Sequence, residues 1–195
     1  MGIMVSMILP QKSPSAVDIV KESNDSFGSL LNKKTPFLKL SLIATILSFY
    51  SAFLANSDKF VDTARYAWSF LYRYPQYFES VEIFFNSRTE LGFLIINYLI
   101  SKFTENPFWL FLAVAIFVNF TNIFTLSKFR GNFTLKLILY MVSIYFFSTM
   151  YLLRQAIAVS ISNLAFLSFI KNKNIKAYIT ILIAASFHTS AIVAL

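Results

Sequence analysis

The chain has 195 residues, 57% hydrophobic and 18% aromatic but only 13% charged. A soluble domain carries about 25% charged residues, so this composition, with a mean hydropathy of +0.64, points to lipid as the solvent. The absence of cysteine excludes disulfide frameworks, thiol chemistry and Cys-ligated metals, and the formal charge of +8 is spread in short basic groups between apolar runs, which marks membrane topology rather than a nucleic-acid-binding face.

Residues 1–36 are mixed and polar, with Pro10, Pro14 and a Ser/Asn-rich middle, and read as a flexible cytoplasmic tail ahead of a membrane domain at 37–195. A spanning helix needs about 20 apolar residues. FLKLSLIATILSFYSAFLA (37–55) qualifies, preceded by Lys33 and Lys34. Segment 56–90 interleaves aromatics with both charge signs and holds five of the nine acidic residues, Asp58, Asp62, Glu79, Glu82 and Glu90. LGFLIINYLISKF (91–103) is too short to span and suits a re-entrant or interfacial helix. PFWLFLAVAIFVNFTNIFTL (107–126) spans, with Pro107 at a helix start, where its missing N–H costs nothing. LILYMVSIYFFSTMYLL (137–153) and QAIAVSISNLAFLSFI (155–170) follow as shorter spans abutting at Arg154, then AYITILIAASFHTSAIVAL (177–195). The expected fold is therefore an all-α polytopic membrane protein: about five transmembrane helices, a short re-entrant or interfacial helix and an outer-face segment.

Basic residues orient this map. If 91–103 does not cross, Lys33/Lys34, Lys128/Arg130/Lys136 and Lys171/Lys173/Lys176 all fall on the cytoplasmic side. The N-terminus is then cytoplasmic, and 56–90 and Arg154 lie outside. No acidic residue follows Glu105, so Arg154 has no carboxylate partner in the last third of the chain.

A charge near the bilayer interior is a functional hypothesis by default. Arg154 can snorkel to the interface, pair with an outer-segment carboxylate, or hold an anionic ligand, since its planar fork suits phosphate oxygens. Ala158, Ser162 and Ala165 share its face as a small-residue stripe that permits close helix contact. His188, the single histidine, has Ala184 and Ala191 on its own face. Counted from the Lys171–Lys176 loop, His188 stands roughly 16 Å up and Arg154 roughly 25 Å up, so the two can line one outward cavity. His188 also reads as a histidine merely bonded to a neighbouring carbonyl. One histidine without cysteine gives no expected metal site, and no cofactor is expected. In the outer segment, Asp62, Tyr66 and Ser69/Phe70 share a helical face, with Arg65 and Arg73 beside it. That face reads either as an interfacial aromatic belt or as a carbohydrate surface whose carboxylates act as general bases.

The motif Arg154-Gln155 with Ala158, a Lys-rich loop, and then Phe187-His188-x-Ser190-Ala191 resembles the core of the EpsG family. These are bacterial membrane proteins similar to the Wzy-type polymerases of capsule, exopolysaccharide and O-antigen synthesis. Asp62 with Tyr66 resembles the family's Asp-x-x-x-Tyr element, and Glu90-Leu-Gly-Phe93 its Glu-x-Gly-aromatic element; the resemblance covers 58–195. It implies a membrane glycosyltransferase at the outer face of the bacterial cytoplasmic membrane. Such an enzyme polymerises oligosaccharide repeats carried on undecaprenyl pyrophosphate, without metal or cofactor, among membrane lipid and other exopolysaccharide-assembly proteins. By resemblance Arg154 binds the pyrophosphate leaving group, with Gln155, Arg65 and Tyr66 also binding substrate. Asp62 or Glu90 takes the acceptor proton, and His188 binds substrate or shares that proton. Family members are longer, so a truncated member is also expected, and a flippase for lipid-linked saccharides or a non-catalytic fragment are the competing readings.

Overall fold

A computed structural model describes residues 37–57, 61–77 and 89–194; the tail at 1–36 and Asp58, Glu79 and Glu82 lie outside the described residues. The helices are α1 (Phe37–Ala55), α2 (Val61–Trp68), a π-helical turn (Ser69–Arg73), α3 (Tyr74–Tyr77) and α4 (Leu91–Ser101). Then follow α5 (Phe108–Lys128), α6 (Phe133–Val142), α7 (Ile144–Ser148), α8 (Leu153–Ile170), α9 (Asn174–Ala185) and a 3₁₀ turn (Thr189–Ala194). The described chain is thus all-α.

Three of the five expected spans are long and apolar enough to cross a membrane, namely α1, α5 and α8. The other two are interrupted. The run 137–153 breaks at Ser143, which sits in extended conformation and accepts from the Phe146 N–H to start α7. The run 177–195 stops at Ser186, and a 3₁₀ turn follows after His188. A serine hydroxyl offers the backbone a partner other than the next helical turn, and irregular backbone is tolerated at membrane depth where protein buries it.

Packing centres on α5, flanked by α1 on one side and α8 on the other. Association in lipid draws on close contact and polar links rather than on hydrophobic burial, and both are present. Ala44, Ser48, Ser51, Ala52 and Ala55 form a buried small-residue stripe on α1. Across that contact Ser48 Oγ donates to the Ala115 carbonyl at 3.0 Å, and Asn119 Nδ2 reaches Ser51 Oγ at 3.4 Å. On the other flank Asn122 donates to Ser160 at 3.0 Å and accepts from Asn163 at 2.9 Å. Outward faces are left to Phe37, Leu38, Leu42, Ile46, Phe53 and their like, all exposed, as lipid contact requires.

The α8–α9 turn positions the site. Asn172 takes φ +56°, its N–H bonds the Phe169 carbonyl, and the Lys173 N–H bonds that of Ser168. This is the Schellman arrangement, with Asn in the left-handed position it tolerates. α9 therefore folds back along α8, with Ala158 and Ala165 buried on one helix and Ala177 and Ala184 on the other. The reversal brings the His188 end of α9 beside the Arg154 end of α8.

Replacing Asn122 by Ala strips Ser160 and Asn163 of their shared partner. The expected loss is about 1–2 kcal/mol, read as a lowered unfolding midpoint in detergent; an unchanged midpoint would mean the network does not hold α5 to α8.

Candidate functional site

Arg154 lies in the first turn of α8, where the helix dipole disfavours a cation. Its charge is met from another part of the chain. Arg154 Nη1 donates to Glu90 Oε2 at 2.5 Å, and Nε lies 3.5 Å from the Tyr66 hydroxyl. Glu90 Oε1 in turn faces His188 Nδ1 at 3.0 Å. One carboxylate, 13% exposed, thus joins the starts of α4 and α8 to the turn after α9. Pairing with an outer-segment carboxylate was one of the three fates open to Arg154.

Burial pushes the Glu90 pKa up, but its own backbone N–H, His188 and Arg154 outweigh that, and the net position is below the ordinary carboxylate value. The group is therefore ionised at neutral pH and accepts only. His188 Nδ1 must then carry a proton and donate it to Glu90; in the neutral tautomer with that proton, Nε2 keeps its lone pair.

Gly92 explains how Glu90 gets there. Its N–H donates to the Ser186 carbonyl at 2.8 Å, and a Cβ at this position would lie 2.7 Å from Ser186 Oγ and 2.9 Å from Ser186 O. Only glycine lets the start of α4 dock on the turn that carries His188. Three residues after Glu90, Phe93 is fully buried and packs edge-on against Tyr66 and Tyr74, with ring centroids 5.5 and 6.1 Å away. The Glu-x-Gly-aromatic element therefore serves as a docking element, seating both the Asp-x-x-x-Tyr helix and the histidine turn.

In front of Arg154 opens a pocket of about 200 Å³ lined by Asp62, Arg65, Tyr66, Ser69, Arg73 and Tyr74 among others. Three arginines face it against Asp62 in the lining and Glu90 behind it, so its local charge is positive. Asp62 pairs with Arg65 at 3.5 Å, both well exposed, a contact worth little to stability. Burial raises the Tyr74 pKa, and nearby Arg154 offsets only part of that, so its phenol stays protonated at neutral pH.

Of the expected site residues, Arg154, Glu90, His188 and Tyr66 meet directly, and Asp62 and Arg65 share the adjoining pocket. Gln155 does not join them; it is exposed, since consecutive helical residues face different ways. Tyr74 and Thr89, also in the lining, escaped sequence reasoning. Tyr74 lies on the Tyr66–Phe70 face at helical spacing, and that periodicity was its available signal.

A model of the EpsG family matches residues 30–195, well over half of the chain. The chain belongs to the EpsG family. This EpsG-family chain is accordingly a membrane protein of polysaccharide biosynthesis. No curated protein and no solved structure matches it.

Two outcomes test this geometry. Gly92→Ala should cost about 1–3 kcal/mol and lower the unfolding midpoint in detergent; an unaffected midpoint would mean the Ser186 turn is not docked. Glu90's folded pKa lies below its unfolded one, so its contribution is complete above about pH 5 and fades as pH falls through the folded value. The stability gap between parent and Glu90→Gln should be open at neutral pH and narrow as pH falls below about 4.5. A gap independent of pH down to 3 would count against an ionised bridge.

Proposed function

We propose that this EpsG-family chain is a polymerase that joins oligosaccharide repeats carried on undecaprenyl pyrophosphate, at the outer face of the bacterial cytoplasmic membrane. The single observation that carries the reading is the Arg154–Glu90–His188 cluster beside a cationic pocket. Charge placement supports the orientation. α5 and α8 run parallel, as the contacts Asn122–Ser160 and Phe129–Phe166 imply. Lys128, Arg130 and the Lys171–Lys176 group therefore share the end opposite the site, which the positive-inside rule assigns to the cytoplasm. Residues 37–195 then form the membrane domain, with 56–90 outside and the tail inside.

Chemistry follows from donors and acceptors. An acceptor hydroxyl oxygen attacks the anomeric carbon of the donor sugar as the bond from that carbon to the pyrophosphate oxygen breaks. The hydroxyl proton passes to His188 Nε2, and the electron pair leaves on undecaprenyl pyrophosphate. Arg154, whose second Nη keeps its N–H donors, binds that developing charge with Arg65 and Arg73 nearby. Glu90 acts as a positioning residue: with both oxygens engaged, it orients the imidazole as a carboxylate does in a hydrolase triad. Asp62 is the alternative proton acceptor, at the pocket rim. Gln155 is left outside this mechanism.

Expression in a host that lacks its own polymerase but supplies the matching lipid-linked repeats tests this. The parent should give a glycan ladder, and Arg154→Ala should reduce chain extension about 10²–10³-fold. Arg154→Lys should restore little, because an ammonium lacks the fork. Loss of extension in His188→Ala with retention in Asp62→Asn supports His188 as base, and the reverse result assigns that role to Asp62. Repeats trapped inside the cell when the gene is deleted would instead indicate a flippase.

A further inference from the structure

The stretch 61–77 presents two faces. Its π turn, Ser69–Arg73, is the kind of helical irregularity that concentrates at functional sites. Ser69, Arg73 and Tyr74 line the cationic pocket in front of Arg154, whereas Phe70, Leu71, Tyr72 and Pro75 line a second cavity of about 680 Å³. The opposite wall of that cavity is the far end of α4 and the segment after it, Tyr98, Lys102, Thr104 and Glu105.

The lining has a recognisable chemistry. Phe70 forms a buried apolar floor, and Tyr72 is 59% exposed, its ring tilted against Trp68 at 5.9 Å between centroids. Lys102 Nζ lies 4.8 Å from the Tyr98 ring centroid. Glu105 and Thr104 add a carboxylate and a hydroxyl. Lys102 and Glu105 balance each other, so the cavity does not select a phosphate. Its polar rim is equally unsuited to an acyl or prenyl tail. Aromatic rings with an ammonium, a carboxylate and hydroxyls around them match a sugar, which offers apolar ring faces and many hydroxyls. The volume falls within the roughly 300–1,000 Å³ usual for small-molecule sites.

Location completes the argument. α4 carries Glu90 at its start and Tyr98 to Lys102 near its end, a helical rise of roughly 12–18 Å. That is the reach of a short oligosaccharide whose other end lies at Arg154. We propose that this cavity is a glycan subsite, holding sugars of a repeat unit or growing chain a few residues away from the reacting end. The proposal rests on the polymerase reading for its purpose, but its binding chemistry can be tested apart from it.

The probe is the host's repeat-unit oligosaccharide, released from its lipid by mild acid and titrated against the purified full chain in detergent by saturation-transfer NMR. Tyr98→Ala and Tyr72→Ala should each weaken binding about tenfold, and the exposed-site variants Lys102→Ala and Glu105→Gln should weaken it without threatening the fold. In the polymerase-deficient host the same variants should shift the glycan ladder to shorter chains. Arg154→Ala should suppress extension yet keep oligosaccharide binding. Absence of binding by the parent, or unchanged binding and chain length in all four variants, overturns the subsite. Binding that is lost in the variants while the parent makes no ladder would keep the subsite and reject the polymerase.

Discussion

A guanidinium at the start of a membrane helix, with no acidic residue after Glu105, has to be met from an earlier part of the chain. Glu90 meets it, and the same carboxylate also engages the single histidine. Much of the architecture serves that one meeting. The Asn172 turn folds α9 back so that His188 returns to the level of Arg154. Gly92 removes the Cβ that would hold α4 off the Ser186 turn. Phe93 then seats the helix that brings Tyr66 and the pocket arginines over Arg154.

The interruptions in the two apolar runs acquire a purpose in this light. An unbroken helix through 177–195 would carry His188 along a straight axis, whereas the stop at Ser186 places its ring in a turn beside α4. The exposed carbonyl of that turn is the acceptor for Gly92. The second break, at Ser143, lets Tyr140 and Tyr145 both point back into the bundle, where Tyr140 donates to Asn119 and Tyr145 meets Asn122. In a bundle without a hydrophobic driving force, such polar links set which helix faces meet.

How much of this was legible in the sequence depended on the range of the signal. α1, α5 and α8 announce themselves as apolar runs of spanning length. The breaks do not, because neither is marked by Gly or Pro; a serine hydroxyl capping a new turn is invisible to hydropathy. Residue types at the site could be picked out, since Arg154, Glu90 and His188 each stand out chemically. Their contact could not: Glu90 lies 64 residues from Arg154 and 98 from His188. Counting rise per residue gave heights but no azimuths, and it assumed an unbroken helix. Gln155 enters through the family's Arg-Gln motif and is exposed beside the cluster, because adjacency in a helix sets side chains on different faces.

The most direct test of the Glu90 bridge uses the fact that the chain has one histidine. With ¹⁵N-histidine label and a purification tag free of histidine, the imidazole gives a single pair of ring-nitrogen signals. At neutral pH the bridge predicts a protonated Nδ1 in a strong hydrogen bond, lost in Glu90→Ala as the ring moves to the Nε2–H tautomer. A parent ring already in the Nε2–H form, unchanged by that substitution, would contradict the account.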